Sequence, residues 1–154
     1  MPDEGVPRIE PASERDLPEV RALLEENRLP LEGVEDCLGG MRVARSEGRV
    51  VGLAALEIHG SDGLLRSVAV DRDGRGAGLG ARLVADVKDL ARSRGLRRLY
   101  LLTETAEGFF RRLGFAVLDR REAPEGIRES VEFASACPAT AVLMAASVSP
   151  SEGA

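Results

Sequence analysis

The run Leu64-Leu65-Arg66-Ser67-Val68-Ala69-Val70-Asp71-Arg72-Asp73-Gly74-Arg75-Gly76-Ala77-Gly78-Leu79-Gly80 decides how this chain is read. Leu64 to Val70 is an apolar, β-branched stretch and predicts a strand. A loop of glycine and arginine follows. From Leu79, apolar residues recur at Leu83, Val84, Val87, Leu90 and Ala91, which is helical spacing. Strand, glycine loop and helix in that order place the unpaired N–H groups of a first helical turn beside backbone without Cβ atoms at Gly76, Gly78 and Gly80. Such donors suit a phosphate or pyrophosphate, and Arg75, with Arg72 behind it, adds charge-assisted bonds. The bland alternative is a surface turn. A dinucleotide fold would need a parallel βαβ unit near the N-terminus, and a nucleotide-triphosphate loop would need a G-K-[ST] step that this sequence lacks.

Upstream, Val6 to Glu10 predicts a short strand. Ser13, with Asp16 three positions on, reads as the cap of a helix carrying Leu17, Val20, Leu23 and Leu24. Pro30 ends it and opens a short second helix with Val34 and Leu38, closed by Gly39 and Gly40. Met41 to Arg45 and Val50 to His59 read as strands joined by a hairpin at 46–49. A turn at Gly60-Ser61-Asp62-Gly63 leads into the Leu64–Val70 strand, so an antiparallel meander is expected. Downstream, Gly95 stops the long helix, and Arg98 to Leu102 is a strand. Thr105 is placed to cap a short helix over Ala106 to Leu113; Phe115 to Leu118 is a strand, 124–131 holds one or two helical turns, and Ala141 to Val148 is the last strand. The fold class expected is α/β, with a mixed sheet of about six or seven strands.

The 154 residues suit one domain, placed at 6–148 with flexible termini. Apolar residues are 44% of the chain, enough for a core, but with four Phe, one Tyr and no Trp it must be built from Leu, Val and Ala. So few aromatics argue against stacking platforms for bases. A net charge of −5 argues against a general nucleic-acid or membrane surface. Lys88 is the only lysine; arginine supplies nearly all the positive charge, as genome base composition or a need for fixed bidentate contacts would produce. Cys37 and Cys137 make no scaffold and no local metal spacing, and one histidine, His59, cannot build a histidine zinc site. No signal peptide or membrane-spanning run is legible, so a cytoplasmic protein is expected.

Arg75-Gly76-Ala77-Gly78-Leu79-Gly80 resembles the Q/R-x-x-G-x-G/A signature of the GNAT superfamily of acyl-CoA N-acyltransferases. The flanks resemble it too: Ser67-Val68-Ala69-Val70 before the loop, and Phe109-Phe110-Arg111-Arg112-Leu113-Gly114-Phe115 at the family's second cofactor-side helix. The resemblance covers residues 6 to 148. The chain is further similar to the arsenic-resistance N-acetyltransferase subgroup, and more loosely to short N-acetylglutamate synthases. That similarity rests on Leu65–Val70, the run Leu101 to Phe110, and Cys137-Pro138-Ala139-Thr140-Ala141.

The resemblance implies a sheet splayed in the middle, acetyl-CoA as cofactor and a small amine or amino acid as acceptor, in a possible homodimer with neither nucleic acid nor membrane as partner. It implies direct attack of a neutral amine on the thioester in a ternary complex. Val68, Ala69 and Val70 would pair with the pantetheine arm, with the Val68 N–H as candidate oxyanion donor. Arg75, Gly76, Ala77, Gly78, Leu79 and Gly80 would hold the pyrophosphate, and Phe109, Phe110 and Arg112 would line the cofactor side.

Taking the proton from an amine of pKa about 10.4 costs about 4 kcal/mol near neutral pH, so a base is needed. Glu57 and His59 are the candidates on the preceding strand, each weighed against a plain surface position, and Glu104 is a third. Many family members carry Tyr where Phe110 stands; Phe110 cannot protonate a thiolate, and Tyr100 lies in a strand at an unsuitable place, so no general acid is assigned. Arg66 interrupts an apolar strand, where it pairs either with a substrate anion or with a carboxylate of the protein. Ser67, Thr103, Glu104, Thr105 and Cys137 complete the acceptor-side set. Two other functions remain open at this point: acetylation of a peptide or protein, and a CoA-binding sensor without turnover.

Overall fold

A computed structural model describes residues 6–72, 78–130 and 140–148. The strands are β1 (Arg8–Pro11), β2 (Met41–Ser46), β3 (Arg49–His59), β4 (Asp62–Val70), β5 (Arg98–Thr103), β6 (Ala116–Leu118) and β7 (Val142–Ser147). The α-helices are α1 (Leu17–Glu26), α2 (Leu79–Ser93), α3 (Glu107–Arg112) and α4 (Glu125–Arg128). The strands form one sheet in the order β1-β2-β3-β4-β5-β7-β6. β2, β3 and β4 lie side by side, joined by short turns, as the expected meander, and β1 pairs antiparallel with β2; the β2–β3 hairpin turns through Glu47 and Gly48, both at positive φ, the backbone of a tight hairpin turn. β4 and β5 run parallel, and β7 pairs antiparallel with both β5 and β6. A mostly antiparallel sheet with one parallel step is the mixed α/β class the sequence predicts.

Two local readings shift. The segment after Pro30 becomes helical only at Val34, as a tight turn running to Gly40, and its cap is Gly33 in the left-handed region. Thr105 does not cap α3; the helix begins after Ala106, whose N–H donates to Thr103 Oγ1 at 3.0 Å. Thr103 ends β5, so its hydroxyl reaches the first open amide before Thr105 can.

The chain divides into two compact units, residues 1–55 with 67–87, and 56–66 with 88–154. In the first, β1 to β3 and α1 enclose Val20, Leu24, Val34, Met41, Val43 and Leu53, all at most 1% exposed. Ser13 and Asp16 form the expected capping box at the entry to α1. Arg45 locks this corner: it donates to both carboxylate oxygens of buried Asp16 at 3.0 and 3.1 Å and to Glu10 at 2.6 Å. In the second unit, Leu64, Tyr100, Ala123, Ile127 and Leu143 form the core. The aromatic rings of Phe109, Phe110 and Phe115 meet edge to face, with centroids 5.0 and 5.7 Å apart. Lys88 lies 4.9 Å from the Phe115 ring centre and donates to the Leu113 carbonyl, tying α2 to the end of α3. Burial, with the charge of Arg92 adding to it, lowers the Lys88 pKa from its ordinary value.

Gly52 explains how close α2 comes to the sheet. A Cβ there would lie 3.0 Å from Leu83 Cδ1, 3.3 Å from Leu79 Cδ2 and 3.3 Å from the Ala69 carbonyl. Gly52→Val is therefore expected to lower stability by about 1–3 kcal/mol through overpacking, read by denaturant titration, and to weaken CoA binding by displacing the first turn of α2. Unchanged stability would show that the helix yields without strain.

Candidate active site

β4 is the element on which the site is built. Its ladder to β5 pairs Asp62, Gly63 and Leu64 with Arg98, Leu99 and Tyr100, and goes no further among the described residues. Three residues on, Ser67 takes φ +62, a left-handed value inside a strand. A non-glycine residue there costs roughly 1–2 kcal/mol. After it, Val68 and Val70 are half-buried while Ala69 faces the core. Val68 lies beyond the last β4–β5 pair among the described residues, and the Val70 carbonyl accepts from Asn27 Nδ2 at 3.4 Å.

The exit of β4 is fastened within the first unit. Asp71 N–H donates to the Val51 carbonyl at 2.8 Å, and Arg72 N–H donates to the Glu26 carboxylate at 3.0 Å. Arg75, Gly76 and Ala77 lie outside the described residues. Gly78 is exposed with φ +80, and its carbonyl accepts from Arg82 N–H at 3.1 Å as the first bond of α2. The N–H groups of Leu79, Gly80 and Ala81 therefore precede the helix's own ladder. A helix of 15 residues puts a positive dipole end at the same place. Leu79 anchors this turn in the core at 4% exposure.

Glu57, His59 and Arg66 come together. His59 Nε2 lies 2.7 Å from Glu57 Oε1, and Arg66 donates to Glu57 Oε2 at 3.1 Å. The Arg66 side chain is fully buried, while Glu57 and His59 are about a fifth exposed at 19% and 22%. Pairing across β3 and β4 explains how an arginine sits in an apolar strand: the cost of burying its charge is offset by a carboxylate within bonding distance. Thr140 and Glu104 meet at 3.5 Å, apart from that cluster, and Glu104 and Thr105 are exposed. Phe110 packs in the aromatic cluster at 7% exposure, Phe109 is half-buried, and Arg112 is exposed on α3. Tyr100 is 3% exposed in the core of the second unit. Cys37 is buried and its thiol donates to the Gly33 carbonyl at 3.5 Å, and Cys137 lies outside the described residues.

Two contributors are invisible to sequence reasoning. Gly52 sits in a strand buried continuously from Val50 to Leu56, and a glycine inside such a strand is the one signal of a close approach. Gly126, in α4, presses its backbone against His59: a Cβ there would be 3.1 Å from His59 Cβ and 3.9 Å from Nδ1. Nothing in the run Pro124 to Arg128 signals that contact. Among the described residues no His, Cys, Asp or Glu cluster suits a metal, and no helix is long and apolar enough to cross a membrane.

The chain is similar to an amino-acid acetyltransferase of Neisseria meningitidis, 30% identical over 130 residues, covering 79% of this chain and 30% of that protein. The chain thus spans under a third of that relative's length. In three dimensions it is similar to N-acetylglutamate synthase from Neisseria gonorrhoeae, solved with coenzyme A and N-acetyl-glutamate. There the TM-score is 0.81 and the identity 26%, over 94% of this chain and 36% of that one. A Mycobacterium tuberculosis protein solved with CoA matches from end to end, with TM-score 0.79 and 26% identity over 92% of this chain and 99% of that one. The acetyltransferase (GNAT) family matches residues 7–115, which hold β4 and the whole of α2. The interrupted β4 ladder and the glycine start of α2 thus have a family to explain them, and this chain belongs to the acetyltransferase (GNAT) family.

Proposed function

We propose that this chain transfers acetyl from acetyl-CoA to the amine of a small, carboxylate-bearing, amino-acid-like acceptor, by direct attack in a ternary complex. One observation carries the reading: a strand that leaves its β5 ladder after Leu64 runs into a helix start at Gly78 whose amides precede the helical ladder. That pairing suits a long ligand with an amide-bearing arm and a diphosphate. Val68, Ala69 and Val70 bind the arm, and the Val68 N–H is the oxyanion donor. Gly78, Leu79 and Gly80, with Arg75, Gly76 and Ala77 before them, hold the diphosphate. Phe109, Phe110 and Arg112 support the cofactor side, and Glu57 and His59 supply the base. The choice of an amino-acid acceptor draws on the similarity to amino-acid acetyltransferases. Glutamate and a toxic, arsenic-containing amino-acid analogue are the first acceptors to try.

A thiol-release assay across amino acids, simple amines and peptides tests the proposal. Turnover is expected with acidic amino acids or their analogues. Turnover of peptides alone would make the chain a peptide acetyltransferase, and CoA binding without turnover of any amine would make it a sensor; either result defeats the reading.

A further inference from the structure

The geometry points to His59 Nδ1, not the Glu57 carboxylate, as the atom that takes the proton from the acceptor amine, with Glu57 as the residue that orients His59 and Arg66 as the anchor of Glu57. This inference rests on the transferase reading above and adds the identity and tautomer of its base.

Arg66 has a fully buried side chain and donates to Glu57 Oε2. An arginine stays charged in proteins, so its neighbour is held as a carboxylate, which can only accept hydrogen bonds. Oε1 of that carboxylate lies 2.7 Å from His59 Nε2. Between an acceptor-only oxygen and a ring nitrogen at this distance, the proton must sit on the nitrogen. Neutral His59 is therefore the Nε2–H tautomer, and the lone pair is on Nδ1. Glu57, engaged through both oxygens, is a poor proton acceptor; its negative charge instead stabilises the imidazolium once Nδ1 is protonated.

The surroundings of Nδ1 agree. The ring is about a fifth exposed at 22%, and no described residue bonds to Nδ1. The backbone that flanks it is Gly126, where a Cβ would stand 3.9 Å from Nδ1. The absence of a side chain there keeps that flank of the ring open. In the reaction, the acceptor ammonium gives one proton to Nδ1. Its nitrogen then forms the C–N bond to the thioester carbonyl as the C–S bond breaks. The second proton leaving nitrogen ends on the departing thiolate through solvent, and the imidazolium returns the first to water. One amide, one thiol and one released proton result.

Two measurements test this. The protein has a single histidine, so its ring nitrogens give one unambiguous set of NMR signals. In nitrogen-labelled protein without substrate, at a pH where His59 is neutral, we expect the Nε2–H tautomer with a ring proton that exchanges slowly with water. Glu57→Ala should lose that slow exchange and populate both tautomers. A ring already protonated on Nδ1, or one unaffected by Glu57→Ala, would overturn the orienting role, and this result is independent of any turnover. In the acetyl-transfer assay, His59→Ala is expected to lower kcat about 10²–10³-fold, with partial recovery on adding imidazole. Glu57→Gln has one oxygen for two donors, Arg66 and Nε2–H, so it should disturb the tautomer and lower kcat by no more than His59→Ala does. A larger loss in Glu57→Gln than in His59→Ala, with no imidazole rescue, would make Glu57 the base and overturn the assignment. No turnover of any amine by the wild-type protein would defeat the transferase reading and this proton role with it, while the tautomer measurement would stand by itself.

Discussion

The double variant Arg75→Ala, Gly78→Glu is expected to weaken CoA binding by about 10²–10³-fold in calorimetry. The loss of a charge-assisted bond from Arg75 removes about 1.5–3 kcal/mol. At Gly78, φ +80 admits a side chain only at a cost of about 1–2 kcal/mol. The new carboxylate also sits at a helix start that would face a diphosphate, where like charges repel. The Gly78 strain is borne equally by free and bound protein, so the binding loss is the Arg75 bond plus a like-charge repulsion of up to about 2 kcal/mol, together about 3–4 kcal/mol, which is the stated fold-change at about 1.4 kcal/mol per decade. No Cβ clash accompanies the change, since nothing lies within 4 Å of a Cβ at Gly78. The fold should therefore survive, and circular dichroism and the unfolding midpoint check that it does. Unchanged CoA affinity in a folded variant would mean that the amides of Leu79, Gly80 and Ala81 serve no diphosphate.

Arg45→Ala is expected to lower stability by about 2–3 kcal/mol, with a fall in Tm of about 5–10 °C for a chain of this size. Asp16 is 4% exposed, and without Arg45 its carboxylate keeps only the Ser13 groups as partners among the bonds around it. The estimate lies below the usual figure for a broken buried pair because the Arg45 side chain is itself 26% exposed and partly screened by water.

The pH dependence gives an independent check. Hydrogen bonds from Arg45 hold Asp16 below its ordinary pKa, with burial opposing and Ser13 assisting. The unfolded chain, with Asp near 3.9, therefore binds more protons in the acid range than the folded one. The stabilisation is complete above about pH 5 and is lost as pH falls through the folded value. In Arg45→Ala the folded pKa rises toward or past the unfolded one, so this acid-side loss should shrink or vanish. An Arg45→Ala curve parallel to wild type between about pH 5 and 3 would show that the pair does not control the titration.

Much of the fold was legible because local signals agreed with each other. The hairpin residues at 46–49, the capping pair Ser13 and Asp16, and the helical spacing from Leu79 to Ala91 each act over a few residues, and the structure keeps them. Thr105 was misread because the donor it was assigned to is reached first by Thr103, a residue whose position depends on where β5 ends. Glu57, His59 and Arg66 were visible one by one as polar residues in apolar strands. Their joining was not, since the pairing of β3 with β4, which no local signal fixes, sets which side chains meet.

What the sequence determined by itself is the order of elements: alternation, turn residues and the spacing of an amphipathic helix are properties of neighbouring residues. Tertiary structure alone decided that Arg66 meets a carboxylate of the protein, that Gly52 admits α2, and that Gly126 lies against His59. These are contacts between segments distant along the chain. Their distances follow from how strands and helices pack, and no local propensity encodes them.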